Sequence, residues 1–145
     1  MTTNAPSAAG TPGPPAICPT LLYEDADAAL KQLTEAFGFS TDAVYREDDG
    51  SIMHAELSQG GGVVMLGSAG GTGAFAEAMR GSGPSSVYVG GVPDVDAHHR
   101  RAAEQGAEIL EPPTDRDYGS RDYLARDVGG NVWSFGTYLP AAGSA

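Results

Sequence analysis

Residues 119–137 read GSRDYLARDVGGNVWSFGT, and residues 50–68 read GSIMHAELSQGGGVVMLGS. Sixty-nine positions separate each residue of one stretch from its match in the other, and six of the nineteen pairs are identical. Each copy reads as strand, tight turn, strand. In the later copy Arg121, Tyr123 and Ala125 share one strand face, and residues 127–131 reverse the chain into residues 132–136. In the earlier copy Ile52, His54 and Glu56 take the matching face, residues 58–62 turn, and residues 63–67 return. A duplicated hairpin implies a duplicated module.

The same spacing reaches upstream, where Asp25, Asp27, Ala28 and Glu35 fall opposite Asp94, Asp96, Ala97 and Glu104. Each set lies in a helix-like segment that closes on glycine, so the repeat covers about half the chain and suggests paired halves of one domain rather than a solenoid. Residues 17–23 read as a first strand, interrupted by Pro19 and so at an edge or late to start pairing. Asp25 or Asp27 then caps a helix with Ala26, Ala29, Leu30, Leu33 and Phe37 at helical spacing and Gly38 as its stop. A strand at residues 43–46 and a turn at residues 47–50 lead into the first hairpin.

Residues 70–85 link the halves, with a short helical core at residues 74–80. The second half repeats the plan: a strand at residues 87–92, a helix capped by Asp94 or Asp96 and ended by Gly106, and a strand at residues 108–111. Pro112-Pro113 then opens a loop to Gly119. The expected fold is α+β: two tandem βαβββ modules, at about residues 17–69 and 86–139, whose curved mixed sheets surround a concave cavity, with helices on the outer face. Trp133, Phe135, Val64 and Leu66 should lie under the helices, and their neighbours Met65 and Ser134 should point into the concavity. Residues 1–16 and 140–145, small and polar or proline-rich, are expected to be disordered tails.

Composition narrows the function classes. A net charge of −11 argues against binding to nucleic acid, whose phosphates attract a basic surface. One cysteine, Cys18, excludes an intramolecular disulfide and a multi-cysteine zinc site. The opening MTTNAPSAAG lacks a basic start followed by an apolar core, and no apolar run reaches the length of a membrane span, so the expectation is a cytoplasmic protein without a membrane partner.

The doubled strand-helix-three-strand pattern, with VPDVDAHHRRAAEQGAEI opening the second half and YGSRDYLARDVGGNVWSFGTY closing it, resembles the vicinal oxygen chelate superfamily. That superfamily includes glyoxalases, extradiol dioxygenases, fosfomycin-resistance enzymes and bleomycin-binding proteins, and the resemblance covers roughly residues 17–139. It implies His or Glu metal ligands at the first strand of each module and near the end of each last strand. Carried across by the repeat, those places fall on Met65 and Ser134 and near Cys18 and Val87, none of them His or Glu. A divalent ion needs three or four N or O donors, so the expectation is no metal and no cofactor. The resemblance is closest in character to the metal-free, bleomycin-binding members, which points to a homodimer of the antibiotic-resistance type.

The remaining candidates sort by face. His98 and His99 are about 100 degrees apart on a helix and cannot both face one ion, so solvated surface is their expected place. His54 and Glu56 share a strand face directed at the cavity and can act as hydrogen-bonding wall or as an acid-base pair. From the other half Arg121 can hold an anionic group, and Tyr118 and Tyr123 can stack on a planar ligand; the alternative is an Arg121–Glu56 salt bridge with ordinary packing. Asp122 and Arg126 fall on the opposite face, and Asp127 and Asn131 should fix the turn. The ligand-binding set is thus His54, Glu56, Met65, Tyr118, Arg121, Tyr123 and Ser134. The leading function is metal-free sequestration of a small drug or metabolite. The alternative is a glyoxalase-like lyase or isomerase with His54 as general base and Tyr123 or Arg121 stabilising an oxyanion, with room for a rearranged metal site.

Overall fold

The computed structural model describes residues 14–141. The expected tails lie outside these residues except for Pro14, Pro15, Ala16, Pro140 and Ala141. Eleven elements follow: β1 (Thr20–Tyr23), α1 (Ala26–Glu35), β2 (Ser40–Arg46), β3 (Ile52–Gln59), β4 (Gly62–Ser68), α2 (Ala74–Met79), β5 (Ser86–Val89), α3 (Val95–Glu104), β6 (Glu108–Asp115), β7 (Arg121–Arg126) and β8 (Val132–Gly136). They form two four-stranded mixed sheets, ordered β1-β4-β3-β2 and β5-β8-β7-β6, and neither closes into a barrel. In each, the first strand runs parallel to the last and the other pairs are antiparallel. The doubled βαβββ plan of an α+β fold is therefore the observed one.

Local chemistry repeats with the plan. Asp25 accepts from the Ala28 amide and Asp94 from the Ala97 amide, each at 3.0 Å, capping α1 and α3 at equivalent positions. Gly38 and Gly106 then end the two helical segments at φ 80° and 85°. β1 begins only after Pro19, whose carbonyl accepts from Met65.

Two expectations change. β6 does not stop before its prolines but runs on to Asp115, because it is the edge strand of its sheet, where a missing N–H costs no ladder bond on the open side. Its pairing with β7 shifts register twice across that stretch. The second change concerns the hairpins. Sixty-nine positions do relate β4 to β8, since Val64 and Leu66 are buried like Trp133 and Phe135. For β3 and β7, however, Ala55 and Leu57 occupy the places of Tyr123 and Ala125, sixty-eight positions away. The first hairpin turns through Gly60-Gly61, whereas the second uses the five residues from Asp127 to Asn131, and the difference slips one strand by one residue.

One core serves both halves. Phe37, just beyond α1, places its ring 5.1 Å from Phe135 and 6.1 Å from Trp133 across the module boundary, and Phe39 meets Trp133 edge-on at 5.6 Å. Trp133, Phe37, Phe135 and Tyr123 are fully buried, each contributing about 2–3 kcal/mol by leaving water. The faces carrying α1 and α3 thus look inward to a common core, and the opposite sheet faces look out.

Candidate functional site

β3 carries Ala55 and Leu57 into the core, so His54 and Glu56 point out of it. Their side chains meet at 2.9 Å. Met65 is paired with Glu56 across the β3–β4 ladder and shares its face, and Tyr45 on edge strand β2 stacks on the His54 ring at 6.1 Å. Ile52 does not join them: it pairs with Arg46 while Tyr45 pairs with His54, leaving Met53 as an extra, exposed residue and returning Ile52 to the core. The result is a shelf with one polar pair, a thioether and an aromatic wall.

Arg121 and Tyr123 do share a strand face, but the one-residue slip makes it the helix-covered face. Tyr123 is fully buried, its hydroxyl 2.6 Å from His98 Nδ1. Burial alone holds its pKa well above the ordinary tyrosine value. Arg121 binds Asp96 at 2.9 Å and Asp115 at 3.1 Å, and the Arg121–Glu56 pair does not form. Neither residue joins His54, so the oxyanion role expected of them has no place beside that histidine.

The second sheet's outward face carries Ser134, paired with Tyr88 and Leu124, and Asp122, paired with Gly136. Tyr118, in the turn before β7, is exposed and meets Tyr138 edge-on at 6.2 Å. Arg126 pairs with Glu108. Clefts of about 1050 Å³ and 920 Å³ flank the α2 segment, yet none of the seven expected ligand residues lines them. Within one chain the outward faces are open shelves.

His98 is not solvated surface. Gln59 donates its amide to the Phe37 carbonyl at 2.7 Å, which turns Oε1 toward His98 Nε2 at 2.9 Å. Nε2 must therefore carry the proton, and Nδ1 accepts from Tyr123. Burial, with the nearby Arg101 charge, lowers the His98 pKa to about 4 against the partial support of a bond involving the Phe37 carbonyl. Its partner Gln59 lies in the other module, a pairing that no local pattern signals.

Asp127 does fix its turn, accepting at Oδ1 from the amides of Gly129 and Asn131, both at 2.9 Å. Its Oδ2 also accepts from Trp133 at 2.8 Å, Asn131 at 3.2 Å and the hydroxyl of Tyr23, in the other module, at 2.6 Å. Burial and the Asp127 charge raise the Tyr23 pKa far above the ordinary value, so it stays a donor.

The superfamily's metal places do not fit an ion here. Met65 offers a thioether and Ser134 a hydroxyl, and among the described residues no three His, Cys, Asp or Glu side chains converge. His54 and Glu56 supply two donors without a third.

Two βαβββ halves sharing a core, with outward faces bearing a few polar groups among apolar and aromatic ones, define a paired-module protein of the vicinal oxygen chelate kind. The chain belongs to the Glyoxalase/Bleomycin resistance protein/Dioxygenase superfamily, whose model matches residues 18–135. It is 31% identical over 127 residues to an uncharacterized protein of Mycobacterium bovis, spanning 84% of this chain and 82% of that one. The crystal structure of TioX from Micromonospora sp. ML1 superposes with a TM-score of 0.70 at 34% identity, over 88% of this chain and 98% of TioX. A Nocardioides member of the superfamily, at 22% identity, TM-score 0.62 and coverage of 94% and 93%, shares the fold. Among the described residues no helix is long and apolar enough to cross a membrane.

Proposed function

We propose that the protein is a metal-free, cytoplasmic small-molecule-binding protein of the sequestration type, working as a homodimer and belonging with antibiotic-resistance relatives. The observation that carries this reading is the outward shelf of the first sheet, where the 2.9 Å His54–Glu56 pair sits beside Met65 and under the Tyr45 ring. Small-molecule sites combine apolar walls with a few fixed polar groups, and this shelf has that make-up. A shelf becomes an enclosed pocket when a second surface covers it, and a two-fold partner supplies one. Ser134 and Tyr118, on the second module, would then line the same space from the partner's side.

Thermal-shift titration with planar cationic glycopeptides and quinone-like compounds tests the reading. A ligand at a hundred times its Kd should stabilise the fold by about 2.7 kcal/mol. His54→Ala and Glu56→Ala should each lose that shift while leaving the unliganded melting temperature nearly unchanged, since both side chains are partly exposed. Absence of any hit at saturating concentrations counts against binding, and light scattering that finds a monomer counts against the dimer. Stoichiometric zinc, nickel or manganese in protein purified without added metal would overturn the metal-free part.

The hydrogen-bonded His54–Glu56 pair also favours a second reading, in which Glu56 orients the imidazole as a general base for a lyase or isomerase. Product formation from a bound ligand, abolished in His54→Gln, distinguishes it from sequestration.

A further inference from the structure

We propose that the cleft between β1 and the segment linking the two modules binds a short zwitterionic peptide with apolar side chains, its ammonium end on Glu24 and its carboxylate end on Arg80. The inference goes beyond the proposed function: the cleft lies at a sheet edge rather than on an outward sheet face, and it shares no residue with the His54 shelf.

The cleft, of about 1050 Å³, takes its walls from three places in the chain: β1 with the residues just after it, the linker around α2, and the turn before β8. That volume suits a peptide-sized molecule better than a single amino acid. β1 is an edge strand of its sheet. Pro19 and Tyr23 give their carbonyls to the amides of Met65 and Ala69 on the β4 side, so alternation turns the amide and carbonyl of Leu22 to the open edge, along which the cleft lies. An extended peptide pairs with such an edge through its own main chain. Leu22, Met79 and Val128 supply apolar wall, Val128 being 54% exposed. No α2 residue is buried, which leaves that wall free to close on a ligand.

Charges of opposite sign stand in the same walls. Five of the eight Lys and Arg side chains pair with a carboxylate, and Arg101 holds two carbonyls of α1. Arg80 is not among them, although the chain carries a net charge of −11. Its Nη2 donates to the Gly71 carbonyl at 3.1 Å, which ties the guanidinium to the residues before α2, while Nε and Nη1 have no partner among the described residues. Glu24 makes no hydrogen bond or ion pair among them either, with Arg80 or any other, whereas its neighbour Asp25 is occupied as the α1 cap. A guanidinium and a carboxylate in one cleft, each without a partner and out of reach of the other, match a ligand that carries both charges some distance apart. The two ends of a short peptide are such a pair.

Proton–nitrogen NMR titration of the whole protein with L-leucyl-L-leucine tests the site, against leucyl-leucinamide, which lacks the carboxylate, and N-acetyl-leucyl-leucine, which lacks the ammonium. The expected result is saturable shifts at the amides of Leu22, Glu24, Arg80 and Val128, with the dipeptide binding at least about threefold tighter than either analogue. Arg80→Met keeps an apolar stem and should bring the dipeptide down to about the affinity of the leucinamide, whose own binding stays unchanged. Glu24→Gln should do the same relative to the acetyl compound. Both side chains are exposed, so both variants should keep the wild-type melting temperature. Hydrogen exchange on the unaltered protein gives a second readout, in which the dipeptide slows the α2 amides more than either analogue at the same concentration. Equal affinity for the three compounds, equal loss of all three in a variant, or no saturable shift at millimolar concentrations overturns the proposal. Shifts confined to His54 and Glu56 overturn it too while leaving the first-module shelf in place, and Leu22 and Arg80 shifts retained in His54→Ala support it.

Discussion

Two side chains tie the halves together with unequal sensitivity to solvent conditions. Asp127 receives five donors, one of them Tyr23 from the other module. Removing the carboxylate strands those donors in a dry environment, so Asp127→Ala should cost at least about 3 kcal/mol in urea denaturation, and Tyr23→Phe about 1.5–3 kcal/mol. His98 responds to pH instead. Its folded-state pKa, lowered to about 4, lies below the 6.5 of an ordinary histidine. As pH falls through 6.5 the unfolded chain takes up a proton that the folded chain refuses until about pH 4. The contribution is therefore complete above pH 6.5 and shrinks as pH falls toward 4, by on the order of 1–2 kcal/mol after discounting for the ring's residual solvent contact. His98→Gln should flatten the stability profile between pH 6.5 and 5.5, where carboxylates contribute little. A profile unchanged by the substitution would contradict the half-buried, neutral state of the ring.

At the scale of elements, the repeat, both helix caps and the closing glycines were readable because each is local chemistry: an Asp three residues before a free amide, a Gly where φ turns positive. Alternation along β3 leaves His54 and Glu56 outside the core, but Ile52, expected on their face, returns to the core because the bulge at Met53 breaks the alternation, which no local pattern signals. Register was the obstacle. Gly60, Gly61 and Gly62 allow a turn of more than one length, and a slip of a single residue carried Tyr123 and Arg121 to the other side of the sheet from the one expected. The prolines of β6 misled for a related reason, since whether a strand tolerates them depends on edge position, which is a property of the whole sheet. His98 was misplaced because its partner Gln59 is 39 residues away. The α2 helix illustrates the opposite limit, a correctly read element with little holding it. None of its residues is buried, and positive-φ glycines, Gly73 and Gly81, stand near its two ends. Its amides should exchange with solvent through local opening, several kcal/mol below the global unfolding free energy measured at β8. Exchange at α2 as slow as at β8 would show tertiary anchoring that the side-chain burial does not account for.

For the molecule as a whole, the shared core decides how it unfolds. Phe37 comes from the first module, is fully buried, and lies against Phe135 and Trp133 of the second. Replacing it with alanine removes the side chain that both sheets close upon and leaves a cavity between them, at a cost of about 3–5 kcal/mol. Because the lost contacts belong to both halves, the loss cannot be confined to one. Trp133, the only tryptophan, reports on the second module, whereas far-UV circular dichroism reports on both. In Phe37→Ala the two signals should move together to one lower urea midpoint, as expected of a cooperative two-state transition. A tryptophan midpoint that stays near the wild-type value while the dichroism signal splits into two steps would mean that the second half folds without the first. The links at His98–Gln59 and Tyr23–Asp127 would then be contacts between independent units, and the open faces on the two modules would no longer be held in a fixed relation for a ligand to span.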